Sequence, residues 1–349
     1  MERKADNPKV SICIPCYNNV DEVRRLLLSV AGQTFRDVEI IVSDDSTDGE
    51  TQALAAQIFQ GGIPLEKGET LFVGPAQSKG QQGGDAINPG DSRRTAAGAE
   101  AVPLPGRFRY YHNEKPLGHI FNWNRALELA EGEYIKIMFS DDWFTEEESL
   151  EKMVSLLEEN PDASLAFCGT RQVSEAKSWS RQAGQPYLDR LRADYRSLFL
   201  GNEIGAPSAT LYRSCGARFD ERSNWASDMF LYFEILGRNP HFVCTGQPLV
   251  SIGIHEEQYT GMFAERDIRK YQDSRFLYEK YHLKENEDCR GEMLRLTVVY
   301  GQGWKNARSC GADFGEYARE RIRWFWKNTV LGYWGGLLHR LGVDREPVS

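Results

Sequence analysis

Apolar and polar positions switch between two periods along the first half of the chain. The run "KVSICIP" is β-branched and apolar and ends at Pro15, which predicts a buried strand, and "DEVRRLLLSVAGQ" then places Val23, Leu26, Leu27 and Val30 on one helical face. "VEIIVSDD" predicts a second strand. "STDGETQALAAQIF" predicts a helix with Asp48 as its N-cap, and "FRYYHN" a third strand. "GHIFNWNRALELAEG" reads as a helix stopped by Gly132, with Ile120, Trp123, Leu127 and Ala130 as its apolar face, and "EYIKIMFS" as a fourth strand. Strands and helices in strict alternation predict an α/β fold: a central, mostly parallel sheet flanked by helices.

Two regions break the rhythm. Residues 61–106 hold ten Gly and five Pro in 46 positions, a composition to which we assign no fold, and we expect a flexible insertion there, either disordered or acting as a lid. After the fourth strand come a helix in "EESLEKMVSLLEEN", a strand in "ASLAFCGT", and a less regular stretch from 175 to 225, with "YLDRLRADYRSLFLGN" helical and "APSATLYRS" strand-like. "ASDMFLYFEILGRNP" predicts a helix stopped at Asn239 and Pro240, and "HFVCTGQPLVSIGIH" two short strands. Beyond about Gly261 the chain reads as helices, an appendage to the sheet domain.

Composition narrows the function classes. Apolar residues make up 41% of the 349 positions, enough for a sizeable core, and 42 basic against 51 acidic residues give a net charge of −9, which argues against a nucleic-acid partner. Seven cysteines at scattered positions form no disulfide framework and suit a reducing compartment. Cys13 and Cys16 form a C-x-x-C with no second such pair, so they read as small strand and loop residues. No apolar leader and no run of 18 apolar residues occur, so the expected location is cytoplasmic.

The polar clusters fall where an open parallel sheet binds ligands, outside the carboxyl ends of its strands. They are Pro15, Cys16, Tyr17 and Asn18 after the first strand, "SDDSTDG" after the second, and Ser140, Asp141 and Asp142 after the fourth. Carboxylates converging on one crevice repel one another unless a cation lies between them, and a hard divalent ion takes one or two carboxylates plus substrate phosphates. The first turn, "PCYNNVDE", is neither G-x-G-x-x-G nor a P-loop, which removes the common dinucleotide and triphosphate readings.

In order and spacing, "VSICIPCYNN", "VEIIVSDDSTDGE" and "NEKPLGHIFNWNRALELAEGEYIKIMFSDDW" resemble the family 2 glycosyltransferases of the GT-A fold, over residues 8–256, with 257–349 as a helical C-terminal extension. The resemblance implies a metal-dependent, inverting transfer of a sugar from a nucleoside-diphosphate sugar, chiefly a UDP-sugar, to a glycan or lipid-linked acceptor, as in assembly of surface polysaccharide or lipopolysaccharide. It implies Mn²⁺ or Mg²⁺ as cofactor. Pro15, Tyr17 and Asn18 resemble the loop against the nucleotide, and Asp44 or Asp45 the acid that reads the base. Asp142, with Asp141, looks like the D-x-D element for metal and diphosphate, Asp228 like the general base, and His255 like a histidine near the diphosphate or metal. Asn122, Asn124 and Arg125 share the third helix, and one or two of them, Asn122 and Arg125 first, are candidates to reach the nucleotide, although a solvated helix face suits them equally.

The chain departs from the family pattern in three places. "DDSTDG" is one residue short of "DDGSTDG", Phe139 replaces the first acid of "D-S-D-D", and Ser227 replaces the first acid of the "E-D" pair. Trp143 reads as packing beside the site or as a sugar contact. "RERIRWFWKNTVLGYWGGLLHRLG" mixes Trp324, Trp326 and Trp334 with arginines, which suits peripheral contact with a membrane at its inner face, or a helix docked on protein. Two rival functions stay open: a non-catalytic nucleotide-sugar or partner-binding module on the same fold, and a nucleotidyltransferase, which would need a basic glycine-rich loop that "CYNNVDEV" does not supply.

Overall fold

The computed structural model describes residues 7–65, 101–255 and 263–327. Most of the 61–106 insertion, and the tail with Trp334, lie outside the described residues. The chain divides into two compact units, the first comprising Met1–Tyr195, Asn202–Ser223 and Ser227–Gly261, the second Arg196–Gly201, Asn224–Ala226 and Met262–Ser349.

In the first unit, β1 (Val10–Cys16), α1 (Val20–Ala31), β2 (Val38–Asp44), α2 (Glu50–Gln60), β3 (Ile63–Pro64), β4 (Ala101–Val102), β5 (Arg107–His112), α3 (His119–Glu128) and β6 (Tyr134–Ile137) follow the expected alternation. Then come β7 (Asp142–Phe144), α4 (Ser149–Glu158), β8 (Leu165–Val173), β9 (Ser178–Arg181), α5 (Gln185–Ala193), β10 (Thr210–Arg213), α6 (Ser227–Arg238) and β11 (Phe242–Gly253). The large sheet runs β5-β2-β1-β6-β10-β8-β11-β7, with β9 paired to β8. Its first four strands are parallel. β10 is antiparallel to both neighbours, β11 is parallel to β8, and β7 is antiparallel to β11, so the sheet is mixed.

β1 and β2 are buried along their whole length, as expected of central strands covered on both faces. Helix α1 buries Val23, Leu26, Leu27 and Val30 as its spacing requires, each Leu contributing about 1.5–3 kcal/mol of transfer free energy. Pro15 lies inside β1, buried, and pairs with Ser43 of β2, while the β6 ladder stops at Cys13 opposite Ile137, so its missing N–H costs no bond on that side.

Several elements differ from expectation for identifiable reasons. The fourth strand stops at Ile137, and Asp142 opens a separate short strand, so the acidic pair turns a corner between two strands. The last strand of this unit is one 12-residue element with register shifts around Pro248, which cannot donate to the ladder. Gly49, not Asp48, occupies the N-cap of α2, with a left-handed φ of 77°, and Asp48 Oδ1 accepts from Glu50 N at 2.9 Å just ahead of it. Within "YLDRLRADYRSLFLGN" the helix breaks at the extended Asp194 and resumes as a 3-10 turn, Tyr195–Leu200. The ends of the insertion are joined by the two-stranded β3–β4 ladder.

The second unit contains α7 (Ile268–Lys280), α8 (Glu287–Val299), α9 (Gly303–Ser309) and α10 (Phe314–Phe325). Leu294, Val298, Ala307, Ala312 and Tyr317 form its core beside Trp304 and Trp324. A capping box between Asp313 and Glu316 starts α10, whose Phe314, Ile322 and Phe325, with Trp326 following, stay exposed. Asp273 of α7 accepts the backbone N–H groups of Asn224, Trp225 and Ala226 at 2.9, 2.7 and 2.9 Å. Among the described residues no helix is long and apolar enough to cross a membrane.

Candidate active site

The carboxyl ends of β1 and β2 are tied together before any ligand is considered. Asn18 adopts a left-handed φ of 46°, its N–H donates to Ser46 Oγ at 2.8 Å, and its Oδ1 accepts from Thr47 N at 2.8 Å. Tyr17 beside it is exposed. Asp44, at the end of β2, accepts from Tyr110 OH at 2.5 Å and Ser46 N at 2.9 Å, while Cys16 Sγ lies 3.5 Å and His112 Nδ1 3.4 Å from its oxygens. Burial works against its charge, but the hydrogen bonds from Ser46, Tyr110 and Cys16 outweigh that and hold its carboxyl below the usual range. Asp45 accepts from Asn113 Nδ2 at 2.8 Å and from Gly118 N at 2.9 Å. Gly118 has φ 89°, which brings its N–H to Asp45 at the start of α3.

Asn122 is buried beneath this ridge. Its Nδ2 donates to Cys16 O and Ser43 O, both at 3.1 Å, and its Oδ1 accepts from Ser43 Oγ at 2.7 Å and Asn113 Nδ2 at 3.1 Å. One side chain therefore staples β1, β2 and the loop after β5. Asn124 is likewise buried, exchanging bonds of 2.9 Å with both backbone groups of Phe219. The solvated face considered for this helix is thus internal at both asparagines. Arg125, further round, faces Glu128 at 3.4 Å.

The acidic pair separates at the turn closed by Asp142 N donating to Phe139 O at 3.0 Å, with Asp141 in the turn and Asp142 opening β7. Asp142 is 2% exposed, and its Oδ1 is buried with no hydrogen-bond partner among the described residues. Burial and the neighbouring Asp141 charge push its carboxyl well above the usual range, opposed by hydrogen bonds from Ser208 and Gly253 N and by the Lys136 ammonium. Lys136, buried in β6, donates to Ser208 O and to Thr210 O, the latter at 3.3 Å, and burial pulls it down to about 8. Asp141 turns outward: its Oδ2 lies 3.3 Å from His255 Nε2, and Glu22 Oε1 is 3.9 Å from the same nitrogen. Arg25 Nη2 donates to Asp141 O at 3.0 Å, and its guanidinium lies 4.2 Å over the buried Trp143 ring. A Cβ at Gly253 would meet Asp141 O at 2.5 Å, so glycine there permits β11 to pass against the acidic corner.

The donor set was tested for a divalent ion. An outward carboxylate and an imidazole 3.3 Å apart are an oxygen–nitrogen pair that Mn²⁺ or Mg²⁺ can share, the other positions going to phosphate oxygens and water. Among the described residues no group of three or more His, Cys, Asp or Glu side chains is arranged around one point. The residues fit an ion held largely by its substrate.

Asp228 sits in the first turn of α6. Its Oδ1 accepts from Met229 N at 2.7 Å and its Oδ2 from Asn202 Nδ2 at 2.6 Å. Burial raises its carboxyl to about 6 against the lowering effect of those donors and of the Arg181 guanidinium. Asn202 is itself held, exchanging bonds of 3.2 Å with Gly205, and its carbonyl accepts from Arg181 Nη2 at 2.8 Å. The short segment from Asn202 to Ser208 thus supports both inner acids, Asp228 at one end and Asp142 at the other.

Of these supports, Tyr110, Asn113, Lys136, Asn202 and Ser208 carried no sequence signal beyond their position. Glu22 and Arg25 could have been found: with Asn19 they recur every third residue along the polar edge of α1, and Asn19 donates to Glu22 Oε2 at 2.8 Å and to Ser140 Oγ.

The chain is similar in sequence and in fold to several known proteins. The chain is 26% identical over 218 residues to the uncharacterised protein MT1568 of Mycobacterium tuberculosis, covering 59% of this chain and 54% of that one, so it spans about half that relative's length. It is 23% identical over 325 residues to EpsH of Bacillus subtilis, assigned as a glycosyltransferase, covering 87% and 80% of the two chains. Its fold is similar to that of S. aureus TarS in complex with UDP-GlcNAc (TM-score 0.55, 16% identity, 90% of this chain and 79% of that one). It is also similar to the mannosyltransferase PcManGT of Pyrobaculum calidifontis in complex with GDP-Man and Mn²⁺ (TM-score 0.54, 14% identity, 97% and 84%). The family model for glycosyl transferase family 2 matches residues 11–80 and 87–215, more than half of the sequence, and the chain belongs to that family.

Proposed function

We propose that this chain transfers a sugar, with inversion, from a nucleoside-diphosphate sugar to a hydroxyl of a glycan or lipid-linked acceptor. The observation that carries the reading is Asp228: a carboxyl raised to about 6 and fixed by Asn202, in a chain whose Asp141 and His255 form an outward ligand pair. In the transfer, Asp228 takes the acceptor proton as the hydroxyl oxygen bonds to the anomeric carbon, and the bond to the diphosphate breaks with its electron pair leaving on the nucleotide. Asp141 and His255 would hold a divalent ion, with Asp142 bracing the corner from within; when bound, such an ion would supply charge compensation for the diphosphate. The nucleotide lies against Pro15, Tyr17 and Asn18, with Asp44 or Asp45 toward the base, and the donor bound by TarS favours a UDP-sugar.

A lipid-linked acceptor suits the second unit, because the exposed Phe314, Ile322, Phe325 and Trp326 share α10 and its end with exposed Arg319, Arg321 and Lys327. Assembly of surface polysaccharide or lipopolysaccharide at the inner face of the cell membrane is the corresponding setting.

The test is a hydrolysis screen over UDP-, GDP-, dTDP- and CMP-sugars with Mn²⁺ or Mg²⁺. We expect metal-dependent release of nucleotide from one donor, and at least a tenfold weaker response to Mn²⁺ in His255→Ala. No hydrolysis and no metal-dependent nucleotide binding would favour the non-catalytic module.

A further inference from the structure

β9 enters the site as described only through Arg181 at its end, and the rest of the strand has no role there. Its four residues, Ser178–Arg181, are all exposed, an unusual composition for a paired strand that carries a tryptophan. Trp179 is 42% exposed, and Lys177 Nζ lies 5.0 Å from its ring centroid. Trp179 and Arg181 are two positions apart, so both project from the same face of the ribbon, with Cα atoms about 7 Å apart. The antiparallel register places Trp179 beside Gln172 and Arg181 beside Thr170 of β8. Arg181 then donates to the carbonyl of Asn202, the residue whose amide holds Asp228 Oδ2 at 2.6 Å.

We infer that this ribbon is the acceptor platform: Trp179 stacks on the apolar face of a hexopyranose ring of a glycan acceptor and delivers its hydroxyl toward Asp228. The inference rests on the transferase reading above. A pyranose presents C–H groups on one face and hydroxyls at its rim, which matches an indole that is apolar in the middle and stays wet at its edge. The contact does not serve the core, since an indole so exposed adds little burial. The Lys177 ammonium restrains the ring by a cation–π contact and can accept no proton in place of Asp228, being a donor only when charged. Trp179 is thus linked to the base through Arg181, its neighbour on the ribbon face, and Asn202.

The experiment uses the full chain with UDP and Mn²⁺ and a panel of methyl hexopyranosides (glucoside, galactoside, mannoside and N-acetylglucosaminide), with binding read by saturation-transfer NMR. We expect at least one glycoside to bind with saturation concentrated on its ring C–H protons, binding to weaken at least fivefold in Trp179→Ala, and to stay within about threefold in Trp179→Phe. Donor hydrolysis by both variants should match the unaltered chain, which also shows that they are folded. Binding unchanged in Trp179→Ala, or no glycoside bound by the unaltered chain, overturns the assignment. Trp179-dependent glycoside binding without hydrolysis of any donor would instead sink the transferase reading and leave a glycan-binding ribbon.

Discussion

Asp228 and Asp142 both lose hydration, but only Asp228 has donors on both oxygens, and its carboxyl settles at about 6. Around it stand Arg181, Glu203, Tyr187 and Tyr232, of which Arg181 favours the ionised form. As a base it must be ionised, so kcat/KM for transfer should fall about tenfold per pH unit below about 6 and level off above it. A profile with no limb between pH 5 and 7 would remove Asp228 from that role. Asp228→Asn should lower transfer by about 10²–10⁴-fold while leaving nucleotide binding intact. The same substitution should lessen the loss of melting temperature between about pH 4 and pH 7.5. The folded state lifts this carboxyl above its unfolded value, so ionisation costs stability above about 6 and costs nothing once both states are protonated. Because Asp228 keeps some solvent contact, the difference is on the order of 1–2 kcal/mol, measurable by thermal melts at the two pH values.

At the level of elements, α3 shows where period-based reading works and where it stops. Ile120 and Leu127 are buried as their spacing predicts, because a helix packed on β1 and β2 must bury one apolar stripe. Asn122 and Asn124 are buried as well, and no hydrophobicity pattern marks them, since they bond backbone groups, Asn122 at the ends of β1 and β2 and Asn124 in the loop at Phe219. Asn122→Leu should therefore cost about 1–3 kcal/mol in urea unfolding, through the buried hydrogen bonds lost at Ser43 and Asn113, while Cys16 O keeps the bond from Asp45 N. A loss below 1 kcal/mol would show that the staple is dispensable. The parallel half of the sheet was legible for the same reason as α1: long apolar runs of one period. β7 and β9 were not, being three and four residues long and defined by pairing with β11 and β8. The acids at the corner were found by composition, but which one faces outward depended on a strand boundary that sequence did not show.

Across the whole molecule, α10 combines an exposed apolar stripe with cations, and its liposome test separates lipid from protein as the partner. The full chain should float with vesicles of phosphatidylcholine containing anionic lipid, and less in 0.5 M salt, since such attraction is screened beyond a few ångströms. Phe325→Ser with Trp326→Ser should abolish flotation; equal recovery with neutral vesicles would show that the cations play no part, and none with either argues for a docked protein partner.

The seven cysteines are all free thiols, and among the buried ones burial pushes Cys13 and Cys16 up and Cys168 to about 11. Alkylating reagents attack the thiolate, so these sulfurs are nearly silent while the fold is closed. Cys13 and Cys16 sit on β1, and Cys168 on β8. Their modification in dilute iodoacetamide becomes a clock for opening of the sheet: slow labelling that quickens with urea would report, without any substrate, how often the centre of the enzyme comes apart.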